Sequence, residues 1–159
     1  MPIEKVRTYF SAQGIGDRVM EFDVSSATVE LAAQAVGTDP ARIAKTFSFM
    51  VGETPTLVVL AGDARIDNPA FKAQFHCKAK MLSADQASKL VGHAVGGVCP
   101  FAVNDGVEVY LDESLRRFST VFPACGSSNS AIELTCNELE RYAHPVDWVD
   151  VCKGWRDGE

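Results

Sequence analysis

Two apolar runs, Thr46–Val51 and Thr56–Ala61, are separated only by Gly52-Glu53-Thr54-Pro55. Runs rich in β-branched and aromatic residues around so short a turn-forming stretch read as a strand hairpin. A chain built on that hairpin needs further elements to cover its two faces, and the flanking sequence supplies them. Ile3, Val6, Tyr9 and Phe10 recur at helical spacing within residues 3 to 13. Val29–Val36 reads as a second helix, with Thr28 as N-cap and Gly37 as terminator. Asp39-Pro40 opens a short helical turn that leads into Lys45.

Asn68-Pro69 begins a helix to about Phe75, and Ser83-Ala84-Asp85-Gln86 is a capping box for another to about Val91. Thr135-Cys136-Asn137-Glu138 is a second box, opening a helix to about Tyr142. Strands are expected at Val19–Val24, Lys78–Leu82, Phe101–Val103, Val107–Leu111, Ser119–Pro123 and Ala131–Leu134. Trp148 and Trp155 are expected to pack the short tail down. Helices and strands interleave, yet several strands follow one another directly. The expected fold class is therefore α/β, a mixed and partly closed β-barrel surrounded by helices. At 159 residues the chain is expected to be one domain, 1–159, long enough to bury a core.

Composition narrows the function. The net charge of −6 argues against gripping a long phosphate backbone, so DNA is not an expected partner. Basic residues gather between Arg65 and Lys89, including Lys72, Lys78 and Lys80, and read as a solvated face. No apolar run approaches the roughly 18 residues that span a membrane, and Met1–Lys5 lacks the layout of a secretory signal. The five cysteines, 77, 99, 125, 136 and 152, are odd in number and without a Cys-x-x-Cys pair. They read as reduced thiols of a cytoplasmic protein. No His or Cys spacing suits a metal, and no cofactor is expected. Gly14-Ile15-Gly16 follows a helix and lacks a third glycine, so it is no dinucleotide loop.

Three segments could carry chemistry. Lys45 stands where a helical turn meets a strand, as a cation for a phosphate, carboxyl or developing oxyanion or as a plain surface lysine. Gly96-Gly97-Val98-Cys99-Pro100 is a Gly-x-x-x-Pro loop whose backbone N–H groups could face a ligand, or a tight glycine turn. Gly126-Ser127-Ser128-Asn129-Ser130 is a hairpin turn or a ligand-binding rim; it is no nucleophile elbow, since Ser130 stands where the last glycine should be. Cys99 and Cys125 adjoin these loops, and His93 lies six residues before Cys99. The thiols read as buried and inert rather than nucleophilic.

Taken in order, Ala44-Lys45-Thr46-Phe47, Gly92 to Phe101, and Ala124-Cys125-Gly126 to Leu134 resemble the YbaK/ProX family, free-standing relatives of the editing domain of bacterial prolyl-tRNA synthetases. The resemblance runs from about residue 20 to 142. It implies a mixed β-barrel and hydrolysis, in trans, of a mischarged aminoacyl-tRNA carrying a small amino acid. On that resemblance Lys45, with Thr46 beside it, meets the terminal adenosine and its ester. The amides of Gly96–Pro100 face the aminoacyl carbonyl, and Ala124, Cys125 and Gly126 wall the amino-acid side chain. Some cysteine-specific members carry serine at the place of Ala124 and aspartate at that of Ala131, so the resemblance leaves the amino acid open. The partners it implies are the acceptor end of an aminoacyl-tRNA and a prolyl-tRNA synthetase. A non-catalytic binding or regulatory module is the alternative.

Overall fold

The computed structural model describes residues 2–94 and 96–156. Val95, within the segment that carries the family resemblance, lies outside them. Helix α1 (Pro2–Ala12) is followed by β1 (Met20–Glu21), α2 (Val29–Val36), β2 (Ile43–Val51), β3 (Thr54–Ala61), β4 (Arg65–Ile66) and α3 (Asn68–Phe75). Then come α4 (Ala84–Gln86), extended by a π-helical turn over Ala87–Val91, and β5 (Glu108–Asp112). The chain continues with β6 (Thr120–Pro123), β7 (Ser130–Ala131), β8 (Leu134–Thr135), α5 (Cys136–Ala143), β9 (Asp147–Val149) and β10 (Cys152–Lys153).

The hairpin forms the middle of a curled, six-stranded half-barrel in the order β8-β6-β2-β3-β5-β9. β2 and β3 are antiparallel, with Val51 opposite Thr54, while β6 and β5 join them on either side in parallel. The expected mixed, partly closed barrel is therefore present. Leu57 to Ala61 of β3 are all buried, as a central strand covered on both faces requires.

Ile3, Val6 and Phe10 bury one stripe of α1. The Phe10 ring meets Phe101 at 4.8 Å and Tyr142 of α5 at 5.8 Å, both edge-on. A separate small cluster joins α2 to the start of β2 and the end of β6, through Ala32, Ala33, Ile43 and Phe122. Both capping boxes form, Ser83 with Gln86 and Thr135 with Glu138. Lys72, Lys78, Lys80 and Lys89 are exposed, as a solvated face should be.

Several expected strands differ. Val19–Val24 contributes only Met20–Glu21, paired with Ser130–Ala131. Lys78–Leu82 makes a single bridge, Met81 to Phe49, because the Ser83 cap turns the chain into a helix before a ladder can extend. Phe101–Val103 is not a strand, since Ala102 takes a left-handed φ of 51°. Ala131–Leu134 breaks into β7 and β8, where buried Ile132 donates its N–H to Pro123 and turns the chain. The tail adds β9 and β10, which the periodicity did not show, and Arg116 lies 4.0 Å over the Trp148 ring. β2 begins at Ile43, three residues earlier than expected, so Lys45 lies within the strand.

At the start of α5, Glu138 accepts two bonds from Arg18, at 2.8 and 3.2 Å, while closing the capping box. Its carboxyl is pushed down to about 2 from 4.5, first by the Arg18 hydrogen bond. A depressed carboxylate stabilises the fold fully above its unfolded value and loses that contribution as pH falls toward the folded one. Glu138→Gln is therefore expected to lower the urea midpoint at neutral pH, with the gap to the parent closing as the pH falls from about 4.5 to about 2. A gap independent of pH would contradict this.

Candidate functional site

β2 is paired with β3 along nearly its whole length, but its other edge is covered only in pieces. β6 pairs with Ile43 and Ala44 and stops there. The segment before α4 covers the edge again further on, where Leu82 N–H donates to Ser48 and Met50 N–H donates to the Lys80 carbonyl. Residues 44, 46, 48 and 50 share one direction of main-chain bonding, because alternate residues of an antiparallel ladder point to opposite edges. Thr46 falls between the two covered pieces, so among the described residues its N–H and C=O have no strand partner on that edge.

A cavity of about 440 Å³ opens at this break. Its walls come from the approach to α2 and its first residue (Ser26 to Val29), from Ile43 to Ser48 of β2, and from Met81, Leu82 and Ala87. Gly96, Val98, Phe122, Ala124, Ser130 and Ala131 close it. Of the residues expected at a site, Lys45, Thr46, Gly96, Val98 and Ala124 line the cavity together.

The others stand elsewhere. Gly97 is buried behind the wall, where a Cβ would fall 2.6 Å from Ser127 N and 2.7 Å from the Gly126 carbonyl carbon. Only glycine allows the two loops to approach this closely. The Gly97 N–H bonds the Ala94 carbonyl and is not offered to a ligand. Pro100 lines a different cavity, of about 240 Å³, with Tyr9, Tyr142 and His144. Cys99 and Cys125 are completely buried and line neither cavity.

Lys45 is half-buried, and its Nζ donates to the Gly62 carbonyl at 3.2 Å and lies 5.5 Å from the Phe47 ring centre. Burial lowers its pKa, with Cys152, Asp63 and Glu30 acting in the opposite direction. Among the described residues no carboxylate forms an ion pair with it. The seat depends on Gly62, since a Cβ there would overlap the Pro40 carbonyl oxygen. Arg117 fixes the next residue, Asp63, with two bonds of 2.9 and 2.5 Å.

The Ser127–Ser130 segment is a hydrogen-bonded turn. Ser127 Oγ donates to Asn129 Oδ1 at 2.9 Å, and Ser130 Oγ accepts from Cys125 N at 3.2 Å. Asn129 Nδ2 reaches the Phe22 carbonyl, and Ser26 N–H donates to the Ser128 carbonyl, tying the turn to the approach to α2. These hydroxyls are engaged in structure, which suits a turn that also borders the cavity.

His93 does approach Cys99, with Nε2 3.5 Å from Sγ, but the pair is not built for attack. The histidine is 1 % exposed, and burial lowers its pKa. Its Nε2 also lies 2.8 Å from the Phe101 carbonyl, so it joins the two ends of the segment carrying Gly96–Pro100. Burial pushes the Cys99 thiol up to about 12 and the Cys125 thiol well above its ordinary value.

Sequence reasoning missed the contributions of Ser26–Val29, Ser48, Met81 and Phe122 to the walls. The small polar run Ser25-Ser26 ahead of the Thr28 cap was the available signal for the first of these. The described lining residues include no Asp, Glu, His or Cys, and Lys45 is their single charge. Such walls can bind and polarise a carbonyl or anion. Among the described residues no group of three or more His, Cys, Asp or Glu is placed to hold a metal ion.

The pattern of the aminoacyl-tRNA editing domain matches residues 24–142, which include every wall of the cavity. The chain belongs to this family. An uncharacterised Bacillus subtilis (strain 168) protein, YwhH, is 51% identical over 156 residues, covering 98% of this chain and 99% of that one. A crystal structure of a candidate trans-editing enzyme for prolyl tRNA synthetase superposes with a TM-score of 0.86 at 27% identity, covering 96% of this chain and 98% of the other. The hypothetical protein APE2540 superposes with a TM-score of 0.82 at 26% identity, over 94% and 99% of the two chains. As a member of the editing family, the chain has tRNA as its implied substrate, and none of its described helices is long and apolar enough to cross a membrane.

The thiol geometry has a direct test. Under limited iodoacetamide at pH 8, peptide mapping is expected to find Cys77, which is partly exposed, modified well before Cys99 and Cys125. Modification of Cys99 at the rate of Cys77 would show a reactive thiolate and contradict the buried pairing.

Proposed function

We propose that this protein hydrolyses the ester bond of a mischarged aminoacyl-tRNA carrying a small amino acid, acting in trans on the acceptor end. The observation that carries the reading is the cavity itself, with one unneutralised lysine, a main-chain edge left open among the described residues, small residues at Ala44, Ala87, Gly96, Ala124 and Ala131, and no Cys, His, Asp or Glu among its described lining residues. A volume of about 440 Å³ lies in the usual range for a small-molecule site and leaves room for a terminal nucleoside with its amino acid.

The chemistry required is modest. An aminoacyl ester is already labile, so the protein needs to orient it, donate to the developing oxyanion and admit water. Selection is the harder task, because one methylene is worth only about 1–3 kcal/mol to a binding pocket. A second site that hydrolyses what fits a small pocket supplies accuracy that a synthetase pocket cannot. The acidic net charge is compatible with gripping only the acceptor end, or with delivery of the tRNA by a synthetase. The similarity to a candidate prolyl tRNA synthetase trans-editing enzyme supports prolyl-tRNA synthetase as that partner and the cytoplasm as the setting.

In this reading Lys45 is the catalytic cation, Thr46, Gly96 and Val98 bind the ester, and Ala124 limits the amino-acid side chain. Gly97, Cys99, Pro100, Cys125 and Gly126 act from behind by holding the loops. Single-turnover deacylation of alanyl-, seryl-, cysteinyl-, threonyl- and prolyl-tRNA tests this. The small substrates are expected to turn over and prolyl-tRNA to resist. Lys45→Ala is expected to lower the rate by roughly 10²–10³, the usual loss for one transition-state donor. Cys99→Ala is expected to stay active without a covalent acyl adduct. Ala124→Leu, by filling the wall, should depress the larger accepted substrates first. Full activity of a folded Lys45→Ala protein, rapid prolyl-tRNA hydrolysis, or no deacylation at all would contradict the proposal, the last favouring a non-catalytic binding module.

A further inference from the structure

The open stretch of β2 has a length, and the length selects what can occupy it. Ala44 is paired with Pro123 of β6, and Ser48 accepts from Leu82, so among the described residues the uncovered position is Thr46 alone. A peptide strand laid along this edge would collide with both covering segments. A single amino-acid residue would not. In a hydrogen-bonded antiparallel pair, two facing residues exchange both bonds, each N–H to the other's C=O. An aminoacyl group carries the same two functions on one residue, an amine that donates and an ester carbonyl that accepts.

We infer that the aminoacyl residue of the substrate docks as a one-residue strand on Thr46. Its α-amine donates to the Thr46 carbonyl, and its ester carbonyl accepts from the Thr46 N–H. The inference rests on the deacylase reading above and names the substrate class within it, esters of amino acids with a free α-amine. The Thr46 N–H then serves as an oxyanion donor, a function that the bonded Gly97 N–H cannot supply. Water attacks the ester carbon and the bond to the ribose oxygen breaks. The oxygen of the water stays in the released carboxylate; one of its protons goes to the ribose oxygen and the other to solvent.

Paired residues project their side chains to the same face, so the substrate side chain lies beside Thr46, between Ala44 and Ser48. Both are small and buried, which suits a small amino acid. The Ser48 side chain, on a residue 7 % exposed, borders the same cavity. No carboxylate lines the walls, so the amine is recognised as a hydrogen-bond donor to a carbonyl and not as a cation. An N-acyl group would extend the docked residue into the covering segments.

The test compares alanyl-tRNA, N-acetylalanyl-tRNA and propionyl-tRNA, which lacks the amine, in single turnovers with the wild-type protein. Each rate is divided by the spontaneous hydrolysis rate of the same ester, since a free amine itself makes the ester more labile. Both analogues are expected to be accelerated at least about tenfold less than alanyl-tRNA, the scale of one hydrogen bond to a strongly polar partner. Equal acceleration of N-acetylalanyl-tRNA or propionyl-tRNA, with alanyl-tRNA turned over, would overturn the docking on Thr46 and leave the deacylase reading standing. Failure to accelerate any small aminoacyl-tRNA would instead overturn the deacylase reading and the inference with it.

Discussion

The interrupted pairing of β2 governs this molecule. One strand edge is satisfied by β6 at its start and by Lys80–Leu82 further along, and the sheet cannot close between them. Buried backbone groups normally pair, so an opening of this kind is kept by the elements around it. Here the keepers are α2, held to β2 and β6 by Ala32, Ala33, Ile43 and Phe122, and the Gly96–Val98 loop, held by the Gly97 contact and by His93. The cavity is the space these elements leave.

The charge arrangement follows from the same geometry. Arg7, Arg18, Arg42, Arg116 and Arg117 are engaged in ion pairs, whereas Lys45, half-buried beside the opening, has a carbonyl and an aromatic ring for neighbours. A cation solvated by a neutral carbonyl keeps its field for an incoming anionic or carbonyl oxygen, and the low-dielectric surroundings strengthen it. Behind the cavity wall, full burial raises the thiol pKa values of Cys99 and Cys125 and suppresses their nucleophilicity. Both effects suit the proposed polarisation of a carbonyl better than attack by a thiol.

Much of this was legible in the chain because it is written locally. The hairpin, the helix caps at Thr28, Ser83 and Thr135, and the amphipathic stripe of α1 are short-range signals, and each formed as read. The family motifs led to Lys45, Thr46, Gly96, Val98 and Ala124, which share one cavity. The failures have a common cause in long-range competition. Lys78–Leu82 alternates like a strand but meets β2 for one bridge only, and Ala131–Leu134 divides its bonds between β1 and β6. Pro100 and Cys99 belong to the loop motif yet face away from the opening, a distinction that spacing along one chain cannot express. Ser48 and Phe122 read as ordinary strand residues until the sheet brings them to the cavity wall.

The central claim, that the break in β2 is where an aminoacyl end binds, is tested most directly by following backbone amide shifts during titration with a hydrolysis-resistant 3′-alanylamino-3′-deoxyadenosine. The account predicts saturable shifts centred on Thr46, with smaller ones at Lys45, Gly96, Val98 and Ala124. Shifts confined to residues around the second cavity, such as Ala102, Val107 and Tyr142, with Thr46 unmoved at saturation, would contradict it.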